Sequence, residues 1–184
     1  ILMPTTQAGD YMSCASSFDH DFEVAKPDHY EVLLEDSGIR EKHTACDNHG
    51  VFVFDYPQGD AYITVYVKDC SVLSYEEGFL FAEGSQEFVG PMATVLKIDA
   101  EKAEFFDTEL PNPHKPEIME AAKAVRLTVK GGTVTVPFAI SPMGVDSARK
   151  SFRGLGYEEV MAACKARWNE VLGKVRVEGG TEQR

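Results

Sequence analysis

The chain has 184 residues, of which 43% are hydrophobic and 10% aromatic, enough to bury the core of one large domain or two small ones. Its formal net charge of −12 argues against a nucleic-acid surface, because phosphate binding needs clustered Lys and Arg. No stretch approaches the roughly 18 consecutive apolar residues of a membrane-spanning helix.

Strand-like patterns follow one another from the first residues onward. Ile1 to Pro4 form an apolar strand-like start, and AYITVYV (61–67) has the period of two that half-buried strands require. Its two sides are Ala61, Ile63, Val65 and Val67 against Tyr62, Thr64 and Tyr66. Weaker strand candidates are HYEVLL (29–34), VFVF (51–54), FLFAEG (79–84) and ATVLKI (93–98).

The segment VRLTVKGGTVTVPF (125–138) contains two alternating runs on either side of Gly131 and Gly132. It predicts a β-hairpin, because glycine takes the positive φ that a tight turn requires. Many short strands at a spacing of roughly ten residues predict a mainly β fold, an antiparallel β-sandwich.

Prolines and helical periods dominate the last third of the chain. Pro111, Pro113 and Pro116 predict an exposed connection over 110–124, because proline cannot occupy a central strand. Beyond Pro142 a short helix is predicted over 147–153, capped by Asp146 or Ser147, and a longer helix over 157–172 that stops at Gly173. A last strand, VRVEG (175–179), is predicted after it.

The longer predicted helix carries an apolar stripe that includes Trp168, the only tryptophan. A stripe at helical spacing packs against a core, so Trp168 is expected to be buried against the sheet. The stripe consists of Val160, Met161, Cys164, Trp168, Val171 and Leu172.

Two short segments concentrate side chains that could carry chemistry. In FDHDFE (18–23), the polar residues Asp19, His20, Asp21 and Glu23 would point in alternating directions in an extended chain, so a polar strand or turn is favoured over one ligand site. In HTACDNHG (43–50), Asp47 and Asn48 favour a turn, with a ligand set that includes His43 and His49 as the alternative.

Other chemical signals are weak. The acidic pairs Glu76-Glu77 and Glu158-Glu159 are expected on solvated faces, and no motif of a known catalytic class is present. The four cysteines form no C-x-x-C pair and are expected to be free, mostly buried thiols. No catalytic, cofactor-binding or metal-binding residue is therefore assigned.

Two segments carry a family resemblance. SARKSF (147–152) and GYEEVMAACKARWNEVLGKVRVEGGTEQR (156–184) resemble a junction in glycoside hydrolase family 92, the calcium-dependent exo-acting α-mannosidases. The front segments ILMPTT and FDHDFEVAKPDHYEVLLEDSGI resemble the same family. The matching positions are Phe18, His20, Glu23, Ala25, Pro27, Tyr30, Val32, Leu34, Ala148-Arg149, Trp168-Asn169, Leu172-Gly173-Lys174 and Val177 to Thr181.

The resemblance implies a fold and a place within a larger enzyme. Residues 1–142 would be a galactose-mutarotase-like supersandwich domain that lacks its first strands, and 143–184 a helical linker and strand leading to a missing (α/α)₆ catalytic domain. The parent would be a secreted, periplasmic or extracellular, inverting α-1,2-mannosidase-like enzyme that uses calcium and acts on mannose-containing glycans. Its catalytic carboxylates and calcium ligands would lie outside this chain, so the fragment alone would be inactive.

The same implication extends to partners. The remainder of the parent chain would be the main partner, and self-association is expected if missing strands leave apolar side chains such as Leu2, Phe18, Val32 and Leu34 uncovered. One alternative is a stand-alone carbohydrate- or protein-binding sandwich that uses Tyr62 and Tyr66. Another is a small metal-binding β-protein built on His20 and His49.

Overall fold

The computed structural model describes residues 1–11, 14–86, 90–112, 114–175 and 178–179. Strands account for 51% of the described residues and helical segments for 15%, in two antiparallel sheets followed by two helices. The strands are β1 (Leu2–Thr5), β2 (Val24–Ala25), β3 (Tyr30–Leu34), β4 (Ile39–Cys46), β5 (His49–Asp55), β6 (Ala61–Lys68), β7 (Val72–Glu76), β8 (Phe79–Gln86), β9 (Gly90–Lys97), β10 (Ala100–Pro111), β11 (Met119–Val129) and β12 (Thr133–Ser141).

The two sheets differ in width. The smaller one has the order β1-β6-β11-β10, and the larger one has the order β2-β3-β4-β5-β12-β9-β8-β7. Apolar side chains from facing strands fill the space between them, as in the predicted sandwich. The main buried cluster includes Ile39, Phe54, Ile63, Val65, Leu80, Leu96, Val125, Leu127 and Val136.

The alternation of β6 is confirmed. Ile63 and Val65 belong to the core between the sheets, whereas Tyr66 lies on the other face and is only 2% exposed. Tyr66 is covered by Leu110 of β10 and by the ring of Tyr11, whose centroid lies 5.4 Å away in an edge-to-face arrangement.

The predicted hairpin over 125–138 is wrong. β11 pairs with β10 and β6 in the smaller sheet, whereas β12 pairs with β5 and β9 in the larger sheet. The chain crosses between the layers at Gly131 and Gly132, where Gly132 has a φ of +95°. A sheet-to-sheet crossing places alternating apolar side chains toward one core just as a hairpin does, so the sequence pattern is the same for both.

Four strands lie where no strand was predicted: β2, β4, β7 and β10. In β4 the side chains that share a face with the core residue Ile39 include Glu41 and His43, so the apolar period of two is lost. The proline-rich connection is shorter than predicted, because β10 extends to Pro111 and β11 begins at Met119.

Both predicted helices are present on the outer face of the larger sheet. Helix α1 (Val145–Ser151) buries Ala148 against Phe81 and Val95. Its N-cap is Gly144, so the prediction of Asp146 or Ser147 as cap is wrong. Helix α2 has the predicted limits, Tyr157–Leu172, and ends at Gly173. Residues 176 and 177 of the predicted last strand lie outside the described residues, as do Gly180 and Thr181 of the resemblance, and the described residues 175, 178 and 179 are not in a strand.

The prediction that Trp168 is buried is wrong. Only Val160 and Cys164 of α2 are buried, and both lie in its first two-thirds. Trp168 is 43% exposed, because the 16-residue helix is about 24 Å long at 1.5 Å per residue and its second half extends beyond the contacts that Val160 makes with the sheet. We call the exposed apolar residues of this end the terminal stripe: Trp168, Val171, Leu172 and Val175.

Gly50 on β5 is a site where close packing allows no side chain. A Cβ there would lie 2.6 Å from the Thr44 carbonyl oxygen and against the Phe138 ring. Gly50→Ala is therefore expected to lower the free energy of unfolding by about 1–3 kcal/mol in urea denaturation. In the control Gly156→Ala, the nearest atom is a flexible Glu159 oxygen at 3.4 Å, and the loss should stay below about 1 kcal/mol. Equal losses for the two variants would contradict the packing at Gly50.

The two ends of α2 are expected to respond differently to truncation. Val160 is fully buried against Val51 and Val53, so Val160→Ala should cost about 2 kcal/mol of unfolding free energy. Trp168→Ala should cost less than about 1 kcal/mol, because the ring remains largely in water. Tryptophan fluorescence gives an independent readout, since Trp168 should be readily quenched by acrylamide. Quencher-resistant, blue-shifted emission would contradict the exposed position.

Candidate functional site

The first polar segment forms a turn. Asp19 caps a 3₁₀ turn over His20–Phe22 and accepts a hydrogen bond from the Asp21 N–H at 2.9 Å. His20 is 82% exposed, and its Nδ1 lies 2.5 Å from Glu23 Oε2. This confirms the favoured interpretation, a polar strand or turn, and shows that the segment is a turn.

Glu23 is held from a second side as well. The Tyr30 hydroxyl donates a hydrogen bond to Glu23 Oε1 at 2.6 Å. This bond first, and then the hydrogen bond from His20, hold the pKa of Glu23 below its ordinary value. In return, desolvation and the neighbouring carboxylate raise the pKa of Tyr30 to about 12. The carboxylate is thus kept ionised and the phenol protonated across the neutral pH range.

Tyr30 also begins a row of rings across the larger sheet. Its ring centroid lies 5.2 Å from that of His43, which is 5.3 Å from Phe52, which in turn is 5.0 Å from Phe138. Tyr30, His43 and Phe52 lie in register on the adjacent strands β3, β4 and β5. Phe138 of the next strand, β12, is offset from them, because it stands opposite Gly50 rather than Phe52. All four lie on the face toward the smaller sheet. We call them the aromatic row. Beside it, Glu41 Oε1 lies 3.2 Å from His43 Nδ1.

The structure therefore joins residues from both polar segments but not all of them. His20 and Glu23 meet His43 through Tyr30, whereas His49 lies on the opposite face of β5, buried beside Val51. Asp47 begins the two-residue loop between β4 and β5 with a φ of +55°. This confirms that Asp47 and Asn48 form a turn.

No metal centre assembles in the described part of the chain. Among those residues, no three His, Cys, Asp or Glu side chains lie together in a way that could hold a metal ion. His20 lies in the exposed 3₁₀ turn, whereas His49 is buried on β5. Calcium, which the resemblance implies for the parent, is thus given no ligand set by the residues that the structure describes. All four cysteines are free thiols, and burial raises the pKa of the Cys164 thiol.

One member of each acidic pair has a structural role. Glu77 and Gly78, with φ values of +52° and +80°, form the two-residue loop between β7 and β8. Glu159 accepts a hydrogen bond from the Gly156 N–H at 2.9 Å at the start of α2. All four glutamates are exposed, as expected.

A cleft of about 680 Å³ opens between the two sheets next to β1. Its volume falls within the range of small-molecule sites, and its lining is mostly apolar. Leu2, Val65, Met92, Leu96, Phe52, Phe138 and Ile140 contribute to it. We call this space the interlayer cleft. Of the side chains that were expected to be uncovered, Leu2 lines it and Phe18 is exposed on the surface, but Val32 is buried, which contradicts that expectation.

These observations define a two-layer antiparallel β-sandwich domain with two helices on its outer face and with no metal centre assembled among the described residues. A sequence profile of the glycosyl hydrolase family 92 N-terminal domain matches residues 1–108. The chain belongs to this family. The match runs through 68–108, a region in which no resemblance was recognised from the sequence.

Solved structures show the same fold. The family GH92 inverting mannosidase BT2199 from Bacteroides thetaiotaomicron superposes with a TM-score of 0.79 at 19% identity over 98% of this chain. The family GH92 α-mannosidase BT3965 from the same organism gives 0.75 at 21% identity over 98% of this chain. This chain spans 27% and 29% of their respective lengths. A search of curated proteins found no match. None of the helices described is long and apolar enough to cross a membrane.

The hydrogen bond from Tyr30 to Glu23 is expected to keep the pKa of Glu23 low. In the folded chain the Glu23 pKa lies below its ordinary 4.5, so its contacts stabilise the fold above about pH 4.5, and this contribution is lost as pH falls through the folded pKa. Tyr30→Phe should raise the Glu23 pKa, measured by ¹³C NMR. The resulting loss of unfolding free energy should be largest near neutral pH and shrink in acid.

Tyr62→Phe serves as the control for this titration. Tyr62 lies on β6 in the other sheet and should leave the Glu23 pKa where it is. An unchanged Glu23 pKa in Tyr30→Phe would show that the phenol does not hold the carboxylate in solution.

Proposed function

We propose that this domain is the non-catalytic N-terminal part of a secreted α-1,2-mannosidase-like glycoside hydrolase, and that it supports the catalytic barrel of its parent. Three observations support the proposal. The chain belongs to the family 92 N-terminal domain family, its fold matches two proteins whose names describe mannosidases, and it spans under a third of their lengths. None of the residues that line the interlayer cleft is Asp or Glu, whereas most glycoside hydrolases use a pair of carboxylates on either side of the bound sugar.

The exposed terminal stripe is the main evidence that this domain supports a catalytic barrel. Trp168, Val171, Leu172 and Val175 follow the spacing i, i+3, i+4 and i+7, so they share one side of the last helix and its exit. All four side chains are exposed. Large apolar side chains that share one side of a helix ordinarily pack against a partner. The partner is the catalytic barrel, which this helix would join to the sandwich.

The chemistry of the parent belongs to that barrel. Calcium is its cofactor and mannose-containing glycans are its substrates, with a water activated on one side of the sugar while an acid protonates the leaving oxygen on the other. The enzyme works in the periplasm or outside the cell. This domain contributes a rigid support, because its two sheets share a continuous apolar core.

Two other roles have less support. A stand-alone carbohydrate-binding module would stack sugars on Tyr62 and Tyr66. The ring of Tyr66 is buried and is not available for stacking. Self-association would use the interlayer cleft and the outer edge of β1, where a second copy could cover Leu2. The net charge of −12 opposes it only at long range, since charges are screened beyond about 8 Å at physiological salt.

The purified 184-residue chain is expected to hydrolyse no aryl or disaccharide α-mannoside, with or without calcium. The longer polypeptide encoded around it is expected to be active, and Trp168→Ala combined with Val171→Asp should lower its activity or its thermal stability by undocking the barrel. Lys165→Ala, an exposed position on the same helix, is the matched control. Calcium-dependent turnover by the short chain alone, free of contaminating enzyme, would overturn the proposal.

A further inference from the structure

Two of the free cysteines lie in the contact layer between helix α2 and the larger sheet. Cys46 is the last residue of β4 and packs against the buried cluster that Val160 of α2 forms with β5. Cys164 lies one helical turn after Val160, on the same side of α2, and is only 6% exposed. The two thiols therefore belong to facing elements of one interface.

The loop between β2 and β3 holds Cys164 close to β4. The Cys164 thiol donates to the Pro27 carbonyl oxygen at a distance of 3.7 Å. The carbonyl oxygen of the next residue, Asp28, accepts a hydrogen bond from Thr44 Oγ1 at 2.7 Å. Thr44 and Cys46 are two positions apart on β4, so their side chains share the outer face of the sheet. Two consecutive loop residues thus connect Cys164 to the strand that carries Cys46.

The electrostatic environment of Cys164 reports the same proximity. Burial is the largest cause of the raised pKa of its thiol, and the charge of an ionised Cys46 is the next largest. The effect of Cys46 exceeds those of Asp28 and Asp47, the carboxylates nearby. Because repulsion between like charges weakens with distance, this order agrees with two thiols that lie close together.

A buried histidine stands beside Cys46. His49 is the residue opposite Cys46 in the pairing of β4 with β5, so the two side chains lie on the same face. His49 is 8% exposed, and its Nδ1 has no hydrogen-bond partner among the described residues. An unprotonated imidazole nitrogen is a proton acceptor. A thiol must lose its proton before it reacts with a disulfide, so His49 is placed to activate Cys46.

The two thiols differ in their access to solvent. Cys46 is only partly buried, whereas Cys164 lies beneath the helix, so an external disulfide reaches Cys46 first. The Cys46 thiolate attacks that disulfide, forms a mixed disulfide and releases one thiol, and Cys164 then displaces the second thiol. The two protein thiols give up two protons and two electrons, and the external disulfide is reduced to two thiols.

We propose that Cys46 and Cys164 form a redox-active dithiol, which a low-molecular-weight disulfide converts into an intramolecular disulfide, with His49 as the base that accepts the proton of Cys46. The bond ties α2 to β4. A disulfide joins Cα atoms that are at most about 7 Å apart. Only Val160 and Cys164 of α2 are buried, so the helix can shift toward the strand while breaking few contacts. The oxidising surroundings that would supply the external disulfide rest on the proposed function.

The test is oxidation of the reduced 184-residue chain by an excess of glutathione disulfide, followed by tryptic digestion without reduction and by mass spectrometry. The four cysteines fall in four different tryptic peptides, so every pairing has its own mass. We expect peptide 43–68 to be linked to peptide 154–165 in a monomeric product. The midpoint of thermal unfolding should rise by about 4 °C or more, because the bond closes a loop of about 120 residues.

Cys70→Ser is the matched control, because Cys70 is a partly buried cysteine whose thiol donates to the Val72 carbonyl oxygen of β7. This variant should form the bond as the unmodified chain does, whereas Cys46→Ser and, independently, Cys164→Ala should form none. His49→Gln should slow formation at least about fivefold at pH 7 but leave the rate unchanged near pH 10, where thiolates form without a base.

Three results would overturn the inference: a different pair of cysteines in the main product, a bond between two chains, or glutathione retained on Cys46 with no link to Cys164. Equal rates for His49→Gln and the unmodified chain at pH 7 would overturn the assignment of His49. None of these measurements involves hydrolysis, so the proposed function is tested separately.

Discussion

The whole fold depends on the apolar contact between two sheets of unequal width. Ile63 and Val65 of β6, with Leu127 of β11, are buried against strands of the larger sheet, and this contact removes one side of each sheet from water. The outer faces of the two sheets are covered in different ways. Helices α1 and α2 pack on the outer face of the larger sheet. On the outer face of the smaller sheet, Tyr66 packs against Tyr11 and against Leu110 of β10.

The strength of the local patterns decided which parts of the fold could be predicted from the sequence. The alternation in β6 and the limits of α2 were correct, because both follow from side-chain period and from Gly173. The pairing of β11 and β12 was not, since a period of two fixes which side faces the core but not which strand lies alongside. Trp168 was misplaced for a related reason. Helical spacing shows which side chains share a stripe, and only the length of the facing sheet shows how many of them are covered.

The candidate site shows how sequence proximity misleads. His43 and His49 are six positions apart and were the alternative ligand set of this segment, yet the turn at Asp47 and Asn48 places them on opposite faces. Tyr30, by contrast, was noticed only as part of a strand and of a motif. It bonds Glu23 and stacks beside His43, and so links segments that no spacing rule connects. The one available signal was the strand register, in which Tyr30 stands opposite His43.

The central position of β12 has a consequence for how the domain is made. β12 pairs with β5 on one side and with β9 on the other, so it alone joins the strands β2 to β5 with the strands β7 to β9. A ribosome releases Thr133–Ser141 only after both groups, so until then the larger sheet exists as two separate meanders with unpaired edges. Such long-range closure is slow in folding, and during synthesis the half-made sheet is the form that needs protection from aggregation.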